Sequence, residues 1–265
     1  MSFWRKTKKI GLALSGGGAR GLAHIGVLEV LESEGIKISA ISGTSMGSVI
    51  GALYSSGIPV KDMLAFIDSN DWKMFVISSN FNIPNLTSLN SRRVDKLIYK
   101  FLGDKDFKEC SIPFCAVAAD IISKNTVYLT SGKLREAVKA SIAIPSIFEP
   151  LVRDGMILID GGVVEPVPIG ALSKTGCDFI IASALDNLIR KEKPTVKTTI
   201  FAYIDLSLAM MERAISEKTF SKADVLIQPL TGDHGVFDFA KAKEIINLGR
   251  LAALDKLSEI KKKIN

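Results

Sequence analysis

The chain reads as an α/β protein of three layers, a central and mostly parallel sheet flanked by helices. Three observations carry that reading. Two buried strands alternate with two helices at the start of the chain, and this alternation builds parallel strands joined by crossover helices. Glycine-marked turns follow buried strands at Gly16–Gly21, Gly43–Gly47 and Asp160–Gly162. In a parallel sheet such turns share the carboxyl edge, where ligands bind. Finally, 265 residues with 47% hydrophobic and 23% charged side chains suffice for a large α/β core and do not read as disordered. No linker, repeat or low-complexity segment interrupts the chain, so residues 1–265 are read as a single domain.

The elements follow in order. Ile10–Leu14 is a buried strand that runs into Ser15-Gly16-Gly17-Gly18-Ala19-Arg20-Gly21. A helix continues to Glu34, with Leu22, Ile25, Leu28 and Leu31 on its apolar face and Gly35 as a left-handed stop. His24 and Gly26 lie on a small-residue side suited to close packing against the sheet. Ile38, Ala40 and Ile41 form the second strand, and Met46–Ser56 forms a small-residue helix closed by Gly57. Val60–Ile67 is a short amphipathic helix. The apolar residues from Trp72 to Leu89 then come without a period, broken by Pro84. They fit either an irregular packing segment or a cap over a pocket, and 59–102 is taken as the extent of that cap. Arg92–Leu102 is helical. Phe114–Asp120 is a strand with a hairpin partner at Thr126–Thr130, and Leu134–Ser141 is a helix stopped by Pro145. Gly155–Ile159 is a strand ending in Asp160-Gly161-Gly162. Phe179–Ala184 and Val225–Gln228 are further buried strands, covered by helices near Thr199–Lys218 and Phe237–Lys262.

Composition narrows the partners. The net charge is +6, but no stripe of interleaved basic and aromatic residues appears, which sets nucleic acid aside. Basic ends (Arg5, Lys6, Lys8, Lys9; Lys261, Lys262, Lys263) and the apolar 72–89 stretch point to transient contact with an anionic membrane surface, with solvated termini as the plainer alternative. The start resembles a charged signal-peptide n-region, but the apolar run Ile10–Leu14 is too short to follow one. No window has the length of a membrane-spanning helix. Cys110, Cys115 and Cys177 lack disulfide or metal spacing. The expectation is a cytoplasmic protein, peripheral to the inner face of the membrane at most, that uses no metal and no cofactor.

Gly43-Thr44-Ser45-Met46-Gly47 between a strand and a helix is a G-x-S-x-G nucleophile elbow. It lifts the Ser45 hydroxyl out of the backbone, and the helix behind it favours developing negative charge. The Gly16-Gly17-Gly18 run lacks Cβ atoms and offers successive N–H groups as an oxyanion hole. For the base there are two histidines. His24 sits within an apolar helix and reads as structural. His234 lies in Thr231-Gly232-Asp233-His234-Gly235, which reads as a solvated loop. A Ser45, Asp160, His234 triad would follow the α/β-hydrolase order, yet a single strand–helix unit precedes the elbow here. Asp160 touching Ser45 directly is the simpler arrangement, since Gly161 and Gly162 let the backbone turn tightly. Gly16, Gly18 and Gly21 also satisfy the dinucleotide fingerprint G-x-G-x-x-G, but the second strand ends Ser39-Ala40-Ile41-Ser42-Gly43 without the expected acid. A third reading is a lipid- or partner-binding module with little turnover.

With these residues in hand, the chain resembles the patatin-like phospholipases. The family's G-G-G-x-R/K-G is met by Gly16 to Gly21 with Arg20 in the basic position, its G-x-S-x-G by Gly43 to Gly47, and its D-G-A/G by Asp160-Gly161-Gly162. Ala140-Ser141-Ile142-Ala143-Ile144-Pro145-Ser146-Ile147-Phe148 matches a further stretch of type A-S-x-A-x-P-x-x-F. All four occur in family order. One departure is Glu165, which precedes Pro166 where the family often has Asn. The resemblance implies a Ser45–Asp160 dyad, a glycine-loop oxyanion hole and metal-free hydrolysis of fatty-acyl esters of the phospholipase A or lysophospholipase type. Arg20 then either contacts a lipid phosphate or, as the favoured reading, pairs with a carboxylate to hold the glycine loop, with Gly21 as further loop support. Because an ordinary aspartate is a weak base at about pKa 3.9, Asp160 is expected to be partly desolvated with its pKa raised.

Overall fold

The run Ile-Gly-Leu-Ala-Leu has no polar side chain, so it belongs where both faces are covered. It forms β1 (Ile10–Leu14), buried at all five residues. The computed structural model describes residues 8–69, 86–173, 175–185 and 200–264, without the side chains of 86–89, 200–202 and 204–205. The middle of the expected cap, including Trp72 and Pro84, and the basic residues Arg5 and Lys6 lie outside the described residues.

After β1 come α1 (Ala23–Ser33), β2 (Ile38–Thr44), α2 (Met46–Ser55), α3 (Val60–Ser69) and α4 (Leu86–Leu102). The middle of the chain supplies β3 (Phe114–Asp120), the hairpin strand β4 (Asn125–Leu129), α5 (Leu134–Ser141), β5 (Leu151–Arg153), β6 (Met156–Asp160) and α6 (Ile169–Leu172). β7 (Phe179–Ser183), α7 (Ile200–Thr219), β8 (Val225–Ile227) and α8 (Ala242–Ile264) complete the order. Gly35 at φ 68° and Gly57 at φ 87° end α1 and α2 in the left-handed conformation that glycine adopts without steric cost.

The strands form one sheet in the order β5-β6-β3-β2-β1-β7-β8, with β4 paired to β3 off that path. Pairs within β3-β2-β1-β7-β8 are parallel, while β3–β4, β3–β6 and β5–β6 are antiparallel. Strand alternation divides the side chains between two cores. Leu12, Leu14, Ile41, Phe179, Ile181, Val225 and Ile227 join the large core with α1, α2, α5 and α8. Ala13, Ala40, Ala182 and Leu226 face a smaller core with Leu172 of α6 and Phe220. Residues of period two thus meet a helical layer on either face.

Two expectations are corrected here. Gly26 packs on α8 instead of the sheet: a Cβ at Gly26 would lie 2.0 Å from the Ile246 carbonyl oxygen, and one at Gly249 would lie 1.9 Å from that of Ala23. Bare glycines therefore let the first and last helices touch backbone to backbone. The other concerns β6, which pairs with β3 antiparallel instead of joining the parallel set. A strand has two edges, and β4 occupies one edge of β3 from Ala116 to Asp120. The other edge is shared: β2 pairs with it up to Thr44↔Val117, and β6 pairs from the opposite direction down to Asp160↔Ala118. The two strands meet end to end on consecutive β3 residues.

Candidate active site

That meeting brings Ser45 and Asp160 together, since each ends or directly follows one of the two converging strands. Ser45 stands at φ 52°, ψ −124°, a left-side conformation that a residue with a Cβ seldom adopts. Glycines make the turn possible on both sides. A Cβ at Gly43 would lie 2.4 Å from the Gly47 carbonyl oxygen, and one at Gly47 2.2 Å from that of Leu14. The strained residue is also tied down: its N–H donates to Ser141 Oγ at 3.0 Å, and its carbonyl accepts from Ser48 Oγ at 2.7 Å.

Asp160 is 5% exposed. Its Oδ1 accepts from the Gly162 N–H at 2.7 Å, and its backbone N–H donates to the Ala143 carbonyl at 3.1 Å. Oδ2 is buried and has no hydrogen-bond partner among the described residues. Burial raises this carboxyl to about pKa 6, against smaller lowering effects of the Ser45 hydroxyl and the Gly162 amide. The hydroxyl therefore acts on the carboxyl without completing a hydrogen bond to it. A loose contact of this kind is common where substrate has not yet tightened the site.

The glycine turn after β1 lies against the elbow, since a Cβ at Gly16 would meet Ser45 Cβ at 3.3 Å. Its three amides are not equivalent. Gly16 N–H donates to the Pro166 carbonyl at 3.0 Å, which removes it from the expected oxyanion set. Ala19 N–H is likewise engaged, by the Val236 carbonyl at 2.8 Å. Between them Gly17 (φ 148°) and Gly18 (φ 58°) keep their N–H groups without a partner among the described residues. Arg20 is buried, and its Nε donates to the Gly17 carbonyl at 3.3 Å. Gly21 gives room to the elbow: a Cβ there would lie 2.4 Å from Met46 Cγ.

His24 is engaged within the fold. His24 is fully buried, with Nε2 2.9 Å from the Ser15 carbonyl oxygen and Nδ1 2.9 Å from Ser183 Oγ. A carbonyl only accepts, so Nε2 carries the proton and Nδ1 accepts from Ser183. Burial holds this imidazole down to about pKa 4. His234, expected in a solvated loop, is 9% exposed instead. Asp233 and Gly235 on either side of it are exposed, and the Val236 carbonyl two residues on accepts from the glycine loop at Ala19. Glu165, the departure from the family pattern, is a brace. Its Oε1 accepts from Gly170 N–H and its Oε2 from Tyr128 OH, both at 2.7 Å, and its carbonyl accepts from Thr44 Oγ1 at 2.8 Å. The sequence reading missed the parts played by Ser141, Pro166, Val236 and Glu165. Two of these had a signal: Ser141 by its place in the A-S-x-A-x-P-x-x-F stretch, and Glu165 as the departure from the family pattern before Pro166. Among the described residues no cluster of His, Cys, Asp and Glu could hold a metal ion.

The fold and site define an α/β protein whose sheet presents a strained serine beside a buried carboxyl group, with a glycine loop packed against the serine's turn. Comparison with known proteins assigns it: the chain belongs to the patatin-like phospholipase family, whose pattern matches residues 12–173. It is similar to an uncharacterized NTE family protein of Mycobacterium tuberculosis, 32% identical over 178 residues that cover 67% of this chain and 49% of that protein. It is also similar to the lysophospholipase nte1 of Aspergillus fumigatus, 30% identical over 178 residues, 66% of this chain and 12% of that one. The chain thus spans about half the length of the mycobacterial relative and a small part of the fungal one. Among solved structures, VipD from Legionella pneumophila shares the fold at a TM-score of 0.59 and 12% identity, covering 96% of this chain and 67% of that chain.

Proposed function

We propose that the chain hydrolyses fatty-acyl esters of lipids, as a phospholipase A or lysophospholipase, with Ser45 as nucleophile and Asp160 as its base. The observation that carries this is the end-to-end meeting of β2 and β6, which sets a strained hydroxyl beside a carboxyl whose pKa is raised to about 6. Family membership and the lysophospholipase relatives support the substrate class.

In this reading Ser45 Oγ attacks the ester carbonyl carbon while its proton passes to Asp160. The oxyanion of the tetrahedral intermediate takes hydrogen bonds from Gly17 and Gly18, and the leading N–H groups of α2 add their positive end. The intermediate collapses, the acyl–oxygen bond breaks, and the departing alcohol takes the proton back from Asp160. Water then gives a proton to the same carboxylate and attacks the acyl-serine; the acyl–Oγ bond breaks, Ser45 Oγ takes that proton back from Asp160, and the fatty acid leaves. Arg20 serves by holding the Gly17 carbonyl so that the neighbouring amides point at the oxyanion. The 59–102 segment is proposed as a cap over the acyl group. In its described part, Ser91 Oγ accepts from the Glu149 N–H at 2.9 Å, which ties α4 to the turn after α5.

A fluorophosphonate probe tests the nucleophile. The wild-type chain is expected to label and Ser45→Ala to remain blank, with ester hydrolysis lost in parallel; equal labelling of both proteins would overturn the assignment. Contact with anionic membrane is a further part of the proposal. No helix among the described residues is long and apolar enough to cross a membrane, and Lys8 Nζ donates to the Lys263 carbonyl, gathering the basic ends of β1 and α8 in one place. Binding to anionic vesicles should weaken as salt rises.

A further inference from the structure

Ser141 is the last residue of α5 and has no exposed surface. Its hydroxyl accepts from the Ser45 N–H at 3.0 Å and donates to the Val117 carbonyl at 2.6 Å. A hydroxyl is suited to this position because it accepts and donates at once. Two residues later the Ala143 carbonyl accepts from the Asp160 N–H at 3.1 Å. One turn therefore grips the backbone N–H of both reacting residues. Its anchor, Val117, is the β3 residue opposite Thr44, and its neighbour Ala118 is opposite Asp160. Gly161 presses on the same anchor, for a Cβ there would come within 2.4 Å of the Val117 oxygen.

The Ser45 N–H precedes the first helical residue of α2 and has no intrahelical acceptor. Without Ser141 it would be a buried donor with nothing to bind, on a residue already in an unfavourable conformation. Relaxation of that residue would carry Oγ away from Asp160. We infer that the Ser141–Ala143 turn is a brace that sets the spacing of Ser45 and Asp160, and that Ser141 is a positioning residue of the reaction. This rests on the roles proposed above for Ser45 and Asp160.

The test uses the full chain with a short-chain p-nitrophenyl ester, rates being divided by the active sites titrated with a fluorophosphonate so that unfolded molecules do not count. A displacement of 1 Å can cost about 10²-fold in rate, so kcat of Ser141→Ala should fall by roughly 10–100-fold with KM within about twofold. The rate constant of phosphonylation should fall in the same proportion. Ser141→Thr keeps the hydroxyl and should recover most of the rate, which a loss of packing alone would not allow. Ser141→Cys keeps the volume with a weaker donor and acceptor and should fall between. Wild-type kcat and labelling rate per active site in Ser141→Ala would overturn the brace. Should that variant not fold, wild-type kcat in Ser141→Cys would overturn it equally. Labelling of Ser45→Ala would overturn the Ser45 assignment and the brace with it, whereas a blank Ser45→Ala beside an unimpaired Ser141→Ala overturns the brace alone.

Discussion

Ser45 and Asp160 each hold a state that the unfolded chain does not favour. The positive φ of Ser45 costs of order 1–3 kcal/mol, and the buried Asp160 carboxyl is raised from 3.8 to about 6. The sign of the second effect follows from proton binding. Below pH 3.8 the group is protonated in both states and contributes nothing. From there to about pH 6 the folded protein keeps a proton that the unfolded chain has lost, so stability declines as pH rises, and above pH 6 the full difference persists. At roughly 1.4 kcal/mol per unit, it is on the order of 3 kcal/mol. Asp160→Asn should therefore abolish turnover yet raise Tm at pH 8, with the gain vanishing near pH 4. His24 acts oppositely: being held down to about pKa 4, it destabilises the fold as pH falls from 6.5. Subtracting the wild-type curve from that of Asp160→Asn removes this contribution. A Tm gain equal at both pH values would show that burial of the charge is not its source. In the wild type, kcat/KM should drop about tenfold per pH unit on the acid side of about 6. A flat profile there would count against Asp160 as the base.

At the scale of elements, the glycine loop is held by what surrounds it. A methyl at Gly18 would lie 2.4 Å from the Val236 carbonyl oxygen and would sit on a residue at φ 58°. Gly18→Ala should thus lower kcat by about 10²-fold or more, the usual cost of losing an oxyanion donor, with a fall in Tm. Unchanged kcat would remove Gly18 from the oxyanion set. The loop and the elbow were legible because each obeys local rules: a strand end, a glycine where no Cβ fits, a helix start. The direction of β6 was not legible, since pairing with β3 decides it and Asp160-Gly161-Gly162 reads alike in either direction. The engagement of Gly16 by Pro166 was equally hidden, because a backbone acceptor distant in sequence leaves no residue signature. The same holds for His234, which is buried although Asp233 and Gly235 beside it are exposed. α4 begins at Leu86 and not at Arg92, and β5 and α6 were not anticipated, being only three and four residues long.

For the molecule as a whole, the family match ends at residue 173 while the sheet does not. β1, which leads into the glycine loop, lies between β2 and β7, and α8 packs on α1 through Gly26 and Gly249. A fragment of residues 12–173 would expose the apolar edge of β1 and one side of α1. It is expected to aggregate or melt without cooperativity, where the full chain gives a single transition. A soluble fragment with a cooperative melt and intact fluorophosphonate labelling would show that β7 and α8 are dispensable. The single edge of β3 shared by two strands has a consequence of its own. It serves as a ruler, graduated in residues, on which Thr44, the residue before Ser45, and Asp160 occupy adjoining marks. Sliding β6 along it by one mark would carry the carboxyl about 3.3 Å and turn it to the opposite side of the sheet. A one-residue deletion in that strand would then silence the protein with every reagent still written in its sequence.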